Sequence, residues 1–211
     1  MILPRIYLDK DTHTYYANGI KVPGTTGVIG AVGVSVYPDT QVMRTARWRG
    51  NVVHSSIELY EQGELNEEEI VREFSDINAM GFINGYKAFR AECVSSIVKQ
   101  EWLVFHPVYW YAGMLDMLCV LNDARLCLID FKTGSLPWWV DLQLVAYVEA
   151  LLAMRGYEDQ LDIDPNDLWH SAVQLSANGT YYMKPPSQDR SSFSIFRKAL
   201  EVAIYIERKG K

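Results

Sequence analysis

The stretch from Gly113 to Lys132, GMLDMLCVLNDARLCLIDFK, constrains this chain more than any other. Apolar runs surround two carboxylates, Asp116 and Asp130, fourteen residues apart, with the turn signal Asn122-Asp123 midway between them. That pattern predicts a β-hairpin or two adjacent strands. Successive strand side chains point to opposite faces, so Asp130 and Lys132 share a face while Phe131 looks the other way. If the strands pair across the turn, Asp116 comes near Asp130. Two carboxylates and an ammonium then converge on the sheet, a group suited to a divalent cation with a lysine left to orient or activate water.

Composition sets mild bounds. With 211 residues, 49% hydrophobic and 22% charged, the chain is of ordinary globular type and can bury one substantial core. No apolar run has the ~18 residues of a membrane span, so no membrane partner is expected. Met1–Ile6 lacks the charged and apolar regions of a secretory leader, which points to a cytoplasmic protein. Three cysteines, Cys93, Cys119 and Cys127, lack metal-ligand spacing and read as buried thiols of a reducing compartment. The net charge of −6 argues at first against a nucleic-acid partner. However, Glu58 to Asp76 holds eight acidic residues and one basic residue. That segment carries −7, so the rest sums to +1, and a basic groove elsewhere stays open.

In chain order, residues 5–22 read as a β-hairpin with turn signals at Asp9-Lys10-Asp11 and Asn18-Gly19. A helix entry follows, with Thr25 or Thr26 as its cap. The glycine-rich piece from Gly24 to Gly33 lacks the Gly-Lys-Ser/Thr ending of a nucleotide loop. A helix is expected from Thr40 to about Tyr60, burying Val42, Ala46, Val53, Ile57 and Tyr60. It carries Arg44, Arg47, Arg49 and His54; the bland reading is a solvated face, the functional one a grip on phosphates or a metal. Residues 64–75 and 76–98 form two further helices, and a strand from Ser96 to Phe105 carries Glu101. Ser135 and Pro137 mark the start of a buried helix to about Arg155, with Gln143 and Tyr147 on one face. Trp138 at its mouth is either a core cap or a stacking platform for bases. Strands at Leu168–Ser176 and Thr180–Lys184 turn at Asn178-Gly179, and a helix from Asp189 to Lys209 closes the chain. With no repeat or linker, 1–211 reads as one domain: hairpin and entry helix over 1–35, helices over 40–98, and the catalytic sheet and helices over 99–211.

Gly113-x-x-Asp116, Asp130-Phe-Lys132-Thr-Gly and Gln143-x-x-x-Tyr147 together resemble the PD-(D/E)xK nuclease superfamily. More narrowly, they are similar to its RecB-like branch, which includes CRISPR-associated RecB-like exonucleases and mitochondrial genome maintenance exonucleases. Arg49-Gly-Asn-Val-Val-His54 matches the upstream RG-x-x-x-H helix motif of that branch, and Glu101 falls where the branch often has a glutamate. The hairpin running into Val22-Pro-Gly-Thr-Thr looks like phage-type members. The matches span about Arg49 to Tyr147. Two features depart from the pattern: Leu115 stands where the superfamily's name has Pro, and the cysteines do not follow the iron–sulfur arrangement, so no cluster is expected.

The resemblance implies an α/β fold, a central mixed sheet of four or five strands flanked by helices, with a restriction-endonuclease-like core and an N-terminal helical wall. It implies that Asp116, Asp130, His54 and the Phe131 backbone carbonyl hold Mg²⁺ or Mn²⁺, with Glu101 as a supporting carboxylate. Lys132 positions or activates the water. Gln143, Tyr147, Arg49, Arg47 and Trp138 face DNA. The implied activity is a metal-dependent DNA exonuclease acting on ends or single strands, in DNA recombination or repair of a bacterial or phage-infected cell. A separate helicase or recombination partner fits that role, and the oligomeric state stays open. A structure-selective endonuclease, or a DNA-binding protein on a decayed nuclease fold, are the alternatives.

Overall fold

The computed structural model describes residues 3–33, 40–157 and 160–210. The first two and last two residues of the expected 1–35 unit lie outside that set. Three short strands, β1 (Ile6–Asp9), β2 (Thr14–Ala17) and β3 (Ile20–Val22), form an antiparallel sheet of their own. The expected hairpin thus gains a third strand at the Asn18-Gly19 turn, where both residues have positive φ. Helix α1 (Thr25–Ala31) follows. Its cap is Gly24 without a side-chain bond, in place of the expected threonine, because Thr25 is buried and donates to the Ala112 carbonyl at 3.1 Å.

Helix α2 (Gln41–Gln62) begins as the sequence predicts: Thr40 Oγ1 accepts the Met43 N–H at 3.2 Å. It ends at Gly63 in the left-handed conformation, φ 74°, as a C-terminal cap requires. Its buried face is shorter than expected. Val53 and Ile57 are buried, but Val42 is 75% exposed. Helix α3 (Glu67–Glu73) is the acidic one; its three glutamates in the first turn suit the positive end of the helix dipole. A 3-10 turn at Ser75–Ile77 leads to α4 (Ala79–Cys93). That helix stops five residues short of the expected Val98, because Val94 opens the long strand β4 (Val94–His106).

The main sheet adds β5 (Tyr111–Leu121), β6 (Leu126–Lys132), β7 (Leu168–Leu175) and β8 (Tyr181–Met183), in the order β4-β5-β6-β7-β8. β6 and β7 are parallel and every other pair is antiparallel, so the sheet is mixed. Helix α5 (Val140–Ala153) makes the crossover between the parallel pair. It starts after Trp139, later than Ser135-Pro137 predicts. Helix α6 (Phe193–Lys209) closes the described chain.

Alternation along the strands builds one core on each side of the sheet. Leu115, Leu118 and Leu128 pack with Leu144, Val148 and Leu151 of α5 and with Phe196 and Leu200 of α6. Met117, Cys119, Ile129 and Phe131 pack on the other side with Val53 and Ile57 of α2 and with Phe82, Tyr86 and Phe89 of α4. Phe131 is gripped there by edge contacts to Tyr86 (5.3 Å) and Phe89 (5.7 Å). The chain is therefore an α/β layer structure with helices on both faces. Among the described residues no helix is long and apolar enough to cross a membrane.

Candidate functional site

The β5–β6 hairpin forms as the Asn122-Asp123 signal predicts, with Met117 opposite Ile129 and Cys119 opposite Cys127. One position further from the turn, that register brings Asp116 to Asp130. The backbone N–H of Phe131 donates to Asp116 Oδ2 at 2.6 Å, fixing one carboxylate oxygen and leaving Oδ1 to face the site. Lys132 Nζ lies 2.5 Å from Asp130 Oδ2. That contact is an ion pair without hydrogen-bond alignment, so Oδ2 of this buried carboxylate has no aligned donor.

His54 and Glu101 arrive from elsewhere. His54, on the sheet-facing side of α2, sets Nδ1 3.4 Å from Asp116 Oδ1 and 3.8 Å from Glu101 Oε1. Ligand atoms of His54, Glu101 and Asp116 all lie within 4.8 Å of one another. Glu101 is on edge strand β4, where Gln100 pairs with Met117 and Trp102 with Leu115, so the intervening Glu101 faces Asp116. Its φ is +42°, a left-handed conformation that costs a non-glycine residue of order 1 kcal/mol. The pleat breaks at the same level of β5. Leu115 joins the α5 side and Met117 the α2 side, although residues two apart in a regular strand share a face. At that level Asp116 meets His54 of α2.

The four groups perturb one another strongly. Burial would push the His54 imidazole down, but Asp116 and Glu101 outweigh it and raise its pKa to about 10. Burial pushes Asp116 up, and His54, Lys132 and the Phe131 N–H together bring it below the ordinary value. Asp130 goes the other way: burial raises it, with Asp116 adding and Lys132 opposing. Glu101 is also raised, first by burial, with His54 opposing. Two neighbouring carboxylates are thus pushed in opposite directions, the arrangement that acid–base chemistry uses.

Further residues line the place from below. Gly113 lies under the Tyr147 ring: a Cβ there would sit 2.4 Å from Tyr147 Cε1 and 2.9 Å from Thr25 Oγ1. Only glycine admits that approach. Gln143 Nε2 donates to Tyr147 Oη at 2.9 Å, while Gln143 Oε1 is buried without a partner. Burial, then Asp130, holds the Tyr147 phenol well above its ordinary range. Tyr15 of β2 was not singled out from the sequence. Its phenol is raised to about 12 by burial, with Glu101 and Asp116 contributing through their nearby charge. Only the strand alternation that buries Tyr15 and Ala17 signals it, and nothing local says against what.

The remaining sequence candidates fall into two groups. Arg49 turns inward: Nη2 donates to the Thr133 carbonyl at 3.0 Å and its guanidinium lies 5.2 Å from the Phe82 ring centroid. It ties α2 to the loop just after Lys132. Arg47 and Trp138 are exposed and, among the described residues, their side chains make no hydrogen bond, ion pair or ring contact.

The donor set of one imidazole and two carboxylates, His54, Glu101 and Asp116, could hold a divalent cation; Asp130 lies outside that group. Asp130 Oδ2 faces the Lys132 ammonium, while Asp116 Oδ1 faces His54 at 3.4 Å and is the carboxylate oxygen best placed for such a cation.

No protein-family model matches the chain, and no curated protein sequence matches it. Fifteen chains of solved structures do. One is the crystal structure of an alkaline exonuclease, LHK-Exo, from Laribacter hongkongensis, at 12% identity and a TM-score of 0.41, the match covering 89% of this chain and 92% of that one.

Proposed function

We propose that this chain is a divalent-metal-dependent deoxyribonuclease of the PD-(D/E)xK type, acting as an exonuclease on DNA ends or single strands. The observation that carries the reading is the convergence of His54, Glu101 and Asp116 beside the Asp130–Lys132 pair. Phosphodiester hydrolysis needs a positioned water, charge stabilisation at the phosphoryl oxygens and a stabilised leaving oxygen. Asp116, Asp130, His54 and Glu101, with the Phe131 carbonyl, would hold the cation, which would supply Lewis acidity when bound.

The chain's own groups do the rest. The Phe131 N–H locks Asp116 in one rotamer, so its free oxygen is already aimed before a cation arrives. Lys132 neutralises Asp130 and presents N–H donors at the same place, where it orients the water and stabilises developing negative charge. Tyr147, braced by Gln143, closes the floor and keeps bulk water from Asp130. Gln143 Oε1, buried and unpaired, is an acceptor for a substrate or water hydrogen. Arg47 and Trp138 are the exposed groups for phosphate contact and base stacking.

The test is a cleavage assay with Mg²⁺ or Mn²⁺ on end-labelled linear single-stranded, linear double-stranded and circular DNA. Short products from linear DNA, an intact circle and arrest by EDTA are expected. Cutting of the circle would replace the exonuclease by an endonuclease; binding without cleavage in either metal would remove the nuclease reading.

A further inference from the structure

Helix α2 has a second face, turned away from His54. Trp48, Val52, Ser55 and Leu59 recur at helical spacing along it and, with Phe74 beyond α3, line a groove of about 480 Å³. The floor is apolar, and Trp48 and Leu59 are 41% and 37% exposed. The rim is acidic: Glu64, Glu69 and Glu73 border it, and Glu64 and Glu69 have no side-chain partner among the described residues. An acidic rim repels phosphate, so this groove is unsuited to the strand the opposite side of α2 would handle.

The matching surface is on α6. Phe196, Ala199 and Leu200 bury one side of that helix, yet Ile195, Val202 and Ile206 form a second, outward stripe, each about half exposed. Lys198 and Lys209 lie along the same line, at i+3 and i+14 from Ile195. Ile195 to Ile206 spans eleven residues, about 16 Å of helix, and Trp48 to Leu59 spans the same. One surface is apolar with an acidic border; the other is apolar with a basic one. Because α2 and α6 pack on opposite faces of the sheet, α6 cannot fill the groove of its own chain.

We propose that the α2–α3 groove docks the outward stripe of α6 from a second copy of this chain. The contact is heterologous, each copy offering a groove and a stripe, so it closes into a ring or runs on as a chain.

Light scattering after size exclusion, over rising protein concentration and at two ionic strengths, tests it. Wild type should associate, and less so at high salt. A groove variant, Glu64→Lys with Glu73→Lys, and a stripe variant, Lys198→Glu with Lys209→Glu, should each associate at least about tenfold more weakly. All four positions are solvent-facing, so folding should survive; circular dichroism checks that. Mixed together, the two variants should assemble again, since each groove then meets a stripe of opposite charge. A wild type that stays monomeric, variants that associate like wild type, or a mixture that does not reassemble would each overturn the proposal.

Discussion

Asp116 and Asp130 are fourteen residues apart and meet one register position beyond the last cross-strand pair of a hairpin; His54 and Glu101 are forty-seven apart and meet because a helix lies across an edge strand. The first pair is built from local chemistry: a turn signal, two apolar runs and a period of two. The second is imported, and it puts a left-handed residue inside a strand, Glu101 at φ +42°, whereas the hairpin's own left-handed residue, Ala124 at φ +68°, sits in its turn. In the hairpin that cost falls where a turn absorbs it; at Glu101 it falls at the site.

The largest expected effect comes from breaking the point the halves share. Asp116→Asn keeps shape but removes the charge facing His54; cleavage should fall by about 10³-fold or more under single-turnover conditions. Losing the Asp116–His54 pair should lower the unfolding temperature as well, so cleavage is read where circular dichroism shows the variant folded; cleavage at the wild-type rate would refute the assignment. Next is the support beneath the hairpin. Gly113→Ala drives a methyl into Tyr147 and should destabilise by about 2–3 kcal/mol in urea titrations. A change within error would mean that the ring moves aside freely.

Glu101→Gly separates strain from ligation on the imported side. Relief of the left-handed backbone should hold stability level or raise it by up to about 1 kcal/mol. Metal affinity by isothermal titration should nonetheless fall by about 10- to 100-fold. Lost stability with unchanged affinity would make Glu101 a structural residue.

The smallest effect is a slope. His54 has its pKa raised to about 10, so the metal-free site holds an imidazolium at neutral pH. A raised pKa stabilises the fold below the unfolded value of about 6.5, and that contribution is lost as pH climbs through 10. A cation must displace the same proton, so its affinity should rise by about tenfold per pH unit from 7 toward 10. His54→Gln should flatten the slope. An unchanged slope would assign the proton to another group.

The same contrast explains what the sequence could say. The individual strands, the helix after Pro137 and the Asp116–Asp130 approach followed from periodicity and turn residues, which act over a few positions. The broken pleat at Glu101 and Asp116 could not, since no glycine or proline marks it. Nor could the nearness of Tyr15, which depends on how a separate small sheet docks against β5 through the Pro23 carbonyl and the Ala112 N–H. Arg49 has a residue type that suits phosphate, but its inward rotamer is set by Phe82 and Thr133 on other elements.

That arginine also joins the two halves. One guanidinium fastens the middle of α2 to the exit of β6, so a single tie sets the spacing between the imidazole on the helix and the lysine ammonium on the strand. Lengthening or removing it would change the distance between the imported and the local half of the site without touching either ligand.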